Sequence, residues 1–224
     1  MRDNMIVCKH ISKIFSTHTK ALQDVSLHIK KGEYVALIGK SGSGKSTMLN
    51  IIGLIDMPTE GEVYINGKTV CETTEKEKAR IRNSEMGYVF QSFFLEKAYS
   101  VYKNVEMPLL IANVPKKERK KLVQESLKKV GLLHKEKELA RNLSGGEQQR
   151  VSIARALVNN PCIILADEPC GNLDSENTEN IMRIFEGLNR EGKTIVLVTH
   201  SKEEADRAER KITLKDGRII ENEV

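Results

Sequence analysis

The chain has 224 residues, 39% hydrophobic and 30% charged, which is enough apolar material for one substantial core and too much for wholesale disorder. With no Trp and 4% aromatic residues, it lacks the ring density of a carbohydrate-binding or base-stacking surface. The net charge of +5 is modest, and much of the Lys excess falls in residues 116–137. Glutamates interrupt that stretch, so it reads first as a solvated helical face, with nucleic acid or an anionic membrane surface as lesser alternatives.

In chain order, β-like runs are expected at Met5–His10, Leu22–Ile29, Tyr34–Ile38, Val63–Ile65, Gly87–Phe90, Ile163–Asp167, Thr194–Thr199 and Lys211–Leu214. Several are continuous apolar runs, the pattern of strands covered on both faces. Between Gln91 and about Pro161 the texture turns helical: Val123, Leu127 and Val130 recur at helical spacing, as do Val151, Ala154 and Leu157. Gly131 and Pro161 are placed to stop these two helices. The pattern predicts an α/β body interrupted by a mostly helical insertion. No apolar run approaches the length of a membrane-spanning helix, and the first residues run into Lys9, His10 and Lys13 without a secretory-type apolar stretch. Cys8, Cys71, Cys162 and Cys170 show no C-x-x-C spacing and read as free thiols, mostly packed as small apolar groups.

The first chemical motif directly follows a strand. Gly39-Lys40-Ser41-Gly42-Ser43-Gly44-Lys45-Ser46 fits the phosphate-loop pattern, and helix-compatible residues begin at Thr47. Glycines let backbone N–H groups turn inward, and the helix start adds partial positive charge, which together bind a phosphate. Lys45 would reach the β- and γ-phosphates and the Ser46 hydroxyl would ligate Mg²⁺. The second motif is the apolar strand ending in Asp167-Glu168. Asp167 is the candidate to hold Mg²⁺, through a water, and Glu168 the candidate to orient and deprotonate the attacking water.

A third motif, Leu143-Ser144-Gly145-Gly146-Glu147-Gln148-Gln149-Arg150, opens the second periodic helix. Ser144 reads as its N-cap, and the glycines leave the first N–H groups open to an anion. With this segment the chain resembles the ATP-binding subunits of ABC transporters, from about Ile6 to Ile220 and with every expected motif in order. The resemblance implies an α/β P-loop NTPase fold of the ABC-ATPase type over residues 1–224. It comprises a RecA-like core sheet, an antiparallel β subdomain and a helical insertion subdomain at about 92–160.

The resemblance also assigns roles. Phe15 stacks on adenine, and Gly39 to Thr47 cradle the phosphates. Gln91 senses Mg²⁺ and the γ-phosphate and links to the membrane partner. His200 contacts the γ-phosphate. Ser144, Gly145, Gly146 and Glu147 close on the ATP held by a second copy, and Asp174, in Gly171-Asn172-Leu173-Asp174, belongs to the loop through which copies communicate. Plainer alternatives are a core position for Phe15, a strand cap for Gln91 and an ordinary loop histidine at 200. The expected cofactors are ATP and Mg²⁺. The expected partners are a second ATP-binding subunit, forming a homodimer with ATP, and an integral membrane permease; nucleic acid is not expected. The expected location is cytoplasmic, on the inner face of the membrane.

Within the family the likeness is to subunits serving lipoprotein release, macrolide export and antimicrobial-peptide export. It rests on Phe90-Gln91-Ser92-Phe93, Asn104–Leu109, Ala154–Val158 and Gly171-Asn172. The chain departs from that group at Glu96-Lys97, Cys170 and Ser201. An ABC-type ATPase acting on nucleic acid or the ribosome is the alternative, but there is a single motif set and no room for a long coiled-coil arm between Lys45 and Ser144. The guanine-reading Asn-Lys-x-Asp motif of a GTPase is absent. Six rings (Tyr88, Phe90, Phe93, Phe94, Tyr99 and Tyr102) crowd into one stretch. The last four are expected either to receive a cytoplasmic helix of the permease or to form the core of the insertion.

Overall fold

The computed structural model describes residues 3–16 and 18–223. Through the first half of the chain its elements are β1 (Asn4–Ile14), β2 (Lys20–Lys30), β3 (Tyr34–Ile38), α1 (Lys45–Ile52), β4 (Glu60–Ile65), β5 (Lys68–Thr69), α2 (Glu75–Glu85), β6 (Met86–Phe90) and α3 (Val101–Ile111). They continue with α4 (Lys116–Lys129), α5 (Gly145–Leu157), β7 (Ile163–Asp167), α6 (Ser175–Arg190), β8 (Thr194–Val198), α7 (Lys202–Ala205), β9 (Arg210–Lys215) and β10 (Arg218–Glu223). The chain divides into two compact units, residues 1–79 with 189–224, and residues 80–188.

In the first unit β2, β1, β4 and β5 form an antiparallel sheet in that order. Period-two alternation buries Ile6, Cys8, Leu27, Ile29, Val63 and Ile65. Burial pushes the Cys8 thiol up to about 12, so it packs as a neutral apolar group. Beside this lies a second set of strands. Apolar β3 runs parallel to β8 (Val35 opposite Val196) and to β9 (Val35 opposite Arg210), and β10 pairs antiparallel to β9. The loop leaving β3 becomes α1, which packs against β8 and β2 and buries Met48, Leu49, Ile51 and Ile52.

In the second unit β6 and β7 run parallel, with Phe90 opposite Asp167. Helices α3, α4 and α5 pack on one another, and α5 packs on β6. Their stripes, Val101, Val105 and Leu109, then Val123 and Leu127, then Val151, Ala154 and Leu157, are buried as the spacing predicts. Gly131 ends α4 in the left-handed region (φ 71°), and the Leu132 N–H returns to the Leu127 carbonyl at 2.9 Å. Among the described residues no helix is long and apolar enough to cross a membrane.

Candidate functional site

The phosphate loop sits where β3 stops. Gly39 has φ 149°, and a Cβ there would lie 2.2 Å from the Leu214 carbonyl oxygen, so only glycine lets the loop leave the strand this closely. The loop closes through Ser43 N–H to the Lys40 carbonyl at 3.2 Å, and α1 begins with Met48 N–H to the Gly44 carbonyl at 2.9 Å. Lys45 is buried (8% exposed), and its ammonium donates to the carbonyls of Gly39 (2.8 Å) and Lys40 (3.0 Å). The hydroxyl of Ser43 is buried with no hydrogen-bond partner among the described residues. Lys40, Ser41, Gly42 and Ser46 are exposed, while Gly39, Gly44 and Thr47 are half-buried.

Two further residues assigned to the nucleotide lie in the same unit. His200 follows β8 and is exposed. Its neighbours are pinned: the Thr199 hydroxyl donates to the Glu204 carboxylate at 2.8 Å, and Ser201 caps α7. His200 shares with Gly39 and Lys40 the lining of a cavity of about 510 Å³. Phe15 is 41% exposed, outside the core, and the Lys13 ammonium lies 5.2 Å from its ring centroid.

The second unit holds the acidic and signature residues. Asp167 ends β7, and Glu168 turns out of it at φ 48°, a left-handed conformation that a non-glycine residue adopts only under constraint. Gln91 follows β6; its side-chain amide donates to Asn172 Oδ1 at 3.4 Å, and the Asn172 amide donates back to the Gln91 carbonyl at 3.4 Å. Because Phe90 stands opposite Asp167, the two strands deliver Gln91 and Glu168 at the same sheet end.

The signature turn is a capping box. Glu147 N–H donates to Ser144 Oγ at 3.3 Å and Ser144 N–H donates to the Glu147 carboxylate at 2.9 Å. Gly145 is exposed and Gly146 buried. A Cβ on Gly146 would fall 1.9 Å from Asn177 Oδ1, so Asn177 can sit on the helix start only because residue 146 has no side chain. Asn177 also donates to Asp174 from its backbone (2.8 Å) and its amide (2.9 and 3.1 Å). Those bonds, the backbone one foremost, hold the Asp174 carboxyl below the usual carboxylate range. One asparagine thus joins the signature helix to the loop bearing Asp174.

Glu147 also accepts from the Lys135 ammonium, and this bond above all keeps its carboxyl below the usual range. A carboxyl so depressed adds stability above its unfolded value of about 4.3 and loses it as pH falls through the folded value. Lys135→Met therefore lowers the unfolding midpoint near pH 7 by about 1–3 °C, the scale of a partly exposed pair in a chain of this size. The difference from wild type closes in acid as Glu147 protonates. Thermal unfolding at pH 7 and pH 3 checks this; an equal deficit at both contradicts it.

Asn177, and Gln149, whose amide donates to the carbonyls of Phe90 (3.1 Å) and Pro169 (2.5 Å), join the site although the sequence assigned neither a role. Gln149 carried a legible signal, a polar side chain four residues before Ile153 on the apolar stripe of α5.

Residues 22–171 match the ABC transporter family. The chain is 47% identical over 212 residues to a lipoprotein-releasing system ATP-binding protein, LolD, of Aquifex aeolicus, covering 95% of this chain and 94% of that protein. It is 50% identical over 203 residues to a macrolide export ATP-binding/permease protein, MacB, of Chlorobium luteolum, covering 91% of this chain and 30% of that longer protein. Its fold superposes at a TM-score of 0.90 on a dimeric, post-hydrolysis state of the ATP-binding cassette MJ0796 bound to ADP and Pi, at 45% identity with 98% of each chain covered. Fold and motifs define an ABC-type ATPase cassette. The chain belongs to the ABC transporter family.

Proposed function

We propose that this chain is the ATP-binding and ATP-hydrolysing subunit of an ABC-type exporter for lipoprotein, antimicrobial-peptide or macrolide-like cargo. The observation that carries this is the phosphate cradle. A buried ammonium that donates to loop carbonyls, beside a buried hydroxyl with no partner among the described residues, is a set of donors that an anion satisfies. On ATP arrival Lys45 exchanges the Gly39 and Lys40 carbonyls for β- and γ-phosphate oxygens, and N–H groups of the Gly39–Thr47 loop take the rest. Phe15, outside the core, offers its ring to adenine.

The Ser46 hydroxyl, the Asp167 carboxylate and the Gln91 side-chain carbonyl are hard oxygen donors that suit Mg²⁺. When bound, Mg²⁺ supplies neutralisation of phosphate charge. Glu168 aims the water and takes its proton, and His200 stabilises the developing charge at the γ-phosphate. Gln91 reports the state of the site through the segment that follows it.

The 224 residues work as one ATP-binding domain, two copies of which enclose two nucleotides. The Ser144–Glu147 turn of one copy closes on the γ-phosphate held by the other, and the loop bearing Asp174 links the two. Cleavage removes the contacts that hold them together. The homologues named for lipoprotein release and macrolide export support a permease partner and a cytoplasmic position on the membrane's inner face.

The docking surface for the permease is the ring-bearing segment after Gln91. Phe94 is 68% exposed and Tyr99 43%, and Phe94 meets Phe90 edge to face at 5.4 Å between centroids. An exposed ring set edge to face on a half-buried one is apolar surface that a partner can cover, with aromatic anchors of the kind that dominate interfaces. Phe93→Ala and Phe94→Ala are expected to keep ATP affinity within about twofold while recovery with the co-expressed permease drops about tenfold or more. Undiminished co-purification would move the docking surface elsewhere.

A further inference from the structure

Gln149 is a polar residue in a fully apolar position. It lies on α5, is 0% exposed, and shares its stripe with buried Ile153 and Leu157. Its amide nitrogen donates to the Phe90 carbonyl at 3.1 Å and to the Pro169 carbonyl at 2.5 Å. Phe90 immediately precedes Gln91, and Pro169 immediately follows Glu168. The ladder between β6 and β7 ends at the pair Phe90 and Asp167, so these two carbonyls lie at and just beyond its last rung. One side-chain nitrogen therefore closes the ends of both strands.

The arrangement is not what packing alone would select. The other half of the amide, Oε1, is buried without a hydrogen bond among the described residues, a cost to stability that an apolar side chain of the same length would avoid. The orientation is not interchangeable either, since turning the amide over would aim its oxygen at two carbonyl oxygens. Further along α5, Arg155 donates to the Phe93 carbonyl (2.9 Å) and the Phe94 carbonyl (2.6 Å). The segment carrying Gln91 is thus fastened to α5 on both sides of Gln91, and α5 is the helix that starts at Ser144.

We propose that Gln149 is a positioning residue for ATP hydrolysis: its amide fixes the spacing between Gln91 and the Asp167–Glu168 pair, and ties that spacing to the helix that begins at the signature turn. The proposal rests on reading the chain as an ATPase. Its physical content is that phosphoryl transfer depends on placement, so loosening two strand ends misplaces the metal-sensing amide relative to the base without touching the phosphate loop.

Two substitutions in the full chain test it. Gln149→Met keeps length and apolar fit and removes the donor. Gln149→Glu keeps shape but donates only when protonated. For Gln149→Met the account expects ATP affinity and KM within about twofold of wild type and kcat reduced about ten- to hundredfold. The chain stays folded and its unfolding midpoint moves little, because losing the donor to two carbonyls is offset by removing an Oε1 without a partner among the described residues. For Gln149→Glu, a buried carboxyl facing two carbonyls favours its neutral form. Its kcat relative to wild type therefore falls as pH rises through the ionisation of that carboxyl, whereas the Gln149→Met ratio stays flat with pH. Wild-type kcat in Gln149→Met, or a pH-independent ratio in folded Gln149→Glu, overturns the proposal; if Gln149→Glu does not fold, Gln149→Met decides alone. Wild-type chain that releases no phosphate defeats the ATPase reading and this role with it. Active wild type with equally active variants defeats only the positioning role.

Discussion

Glu168→Gln lowers phosphate release by about a hundredfold or more and leaves ATP affinity within about twofold of wild type. The amide keeps the size and hydrogen-bonding reach of the carboxylate, so the water can still be contacted, but it cannot take the proton. On the proposed reading binding is spared, because the phosphates are held by the loop after β3 and not by the carboxylate of Glu168. The left-handed backbone at Glu168 (φ 48°) matters here, because it sets where this side chain points as it leaves the strand. If, as proposed, the γ-phosphate is the latch between copies, the uncleaved nucleotide also holds the pair together. Size-exclusion chromatography with ATP and Mg²⁺ should show doubled mass for Glu168→Gln and monomer for wild type after turnover. A variant that keeps most of its phosphate release would move the base to another residue.

Lys45→Met has the second large effect and acts on the other half of the process. The ammonium belongs to a buried residue, and its partners are two carbonyls of the loop it serves. Exchanging these neutral acceptors for anionic phosphate oxygens turns ammonium–carbonyl bonds into ammonium–phosphate ion pairs, worth about 1.5–3 kcal/mol. Methionine fills the volume and offers no donor, so ATP affinity falls about ten- to hundredfold. Titration with a fluorescent ATP analogue reads this directly. Unchanged affinity would mean that the loop's N–H groups suffice and that Lys45 serves only to shape it.

The sequence was most legible where the chemistry is most constrained. β3 and β7 have the bounds read from their apolar runs, because strands buried on both faces leave no polar positions to blur the ends. Ser144 was legible as a cap because Ser and Glu at this spacing form a reciprocal pair. Edge elements were not legible. β10 (RIIENE) exposes nearly every residue, and β5 has two residues, so neither carries a burial pattern. α2 (EKEKARIRNSE) has almost no apolar face. α6 carries an apolar stripe, Ile181, Met182, Phe185 and Leu188, and lies beyond the helical stretch expected between Gln91 and Pro161. Side-chain ties such as Asn177 to Gly146, or Gln149 to Phe90 and Pro169, join positions distant in the chain; the stripe of α5 marks Gln149 as a buried polar residue, but no local pattern names its partners.

Phosphate release per chain, measured against chain concentration with saturating ATP and Mg²⁺, tests the central claim most directly. If one copy's phosphate loop and another's signature turn must grip the same nucleotide, specific activity rises with concentration and then levels off as pairs form. A specific activity independent of concentration in a chain that stays monomeric would contradict the shared grip. No release at any concentration, with or without the permease, would contradict the enzyme altogether.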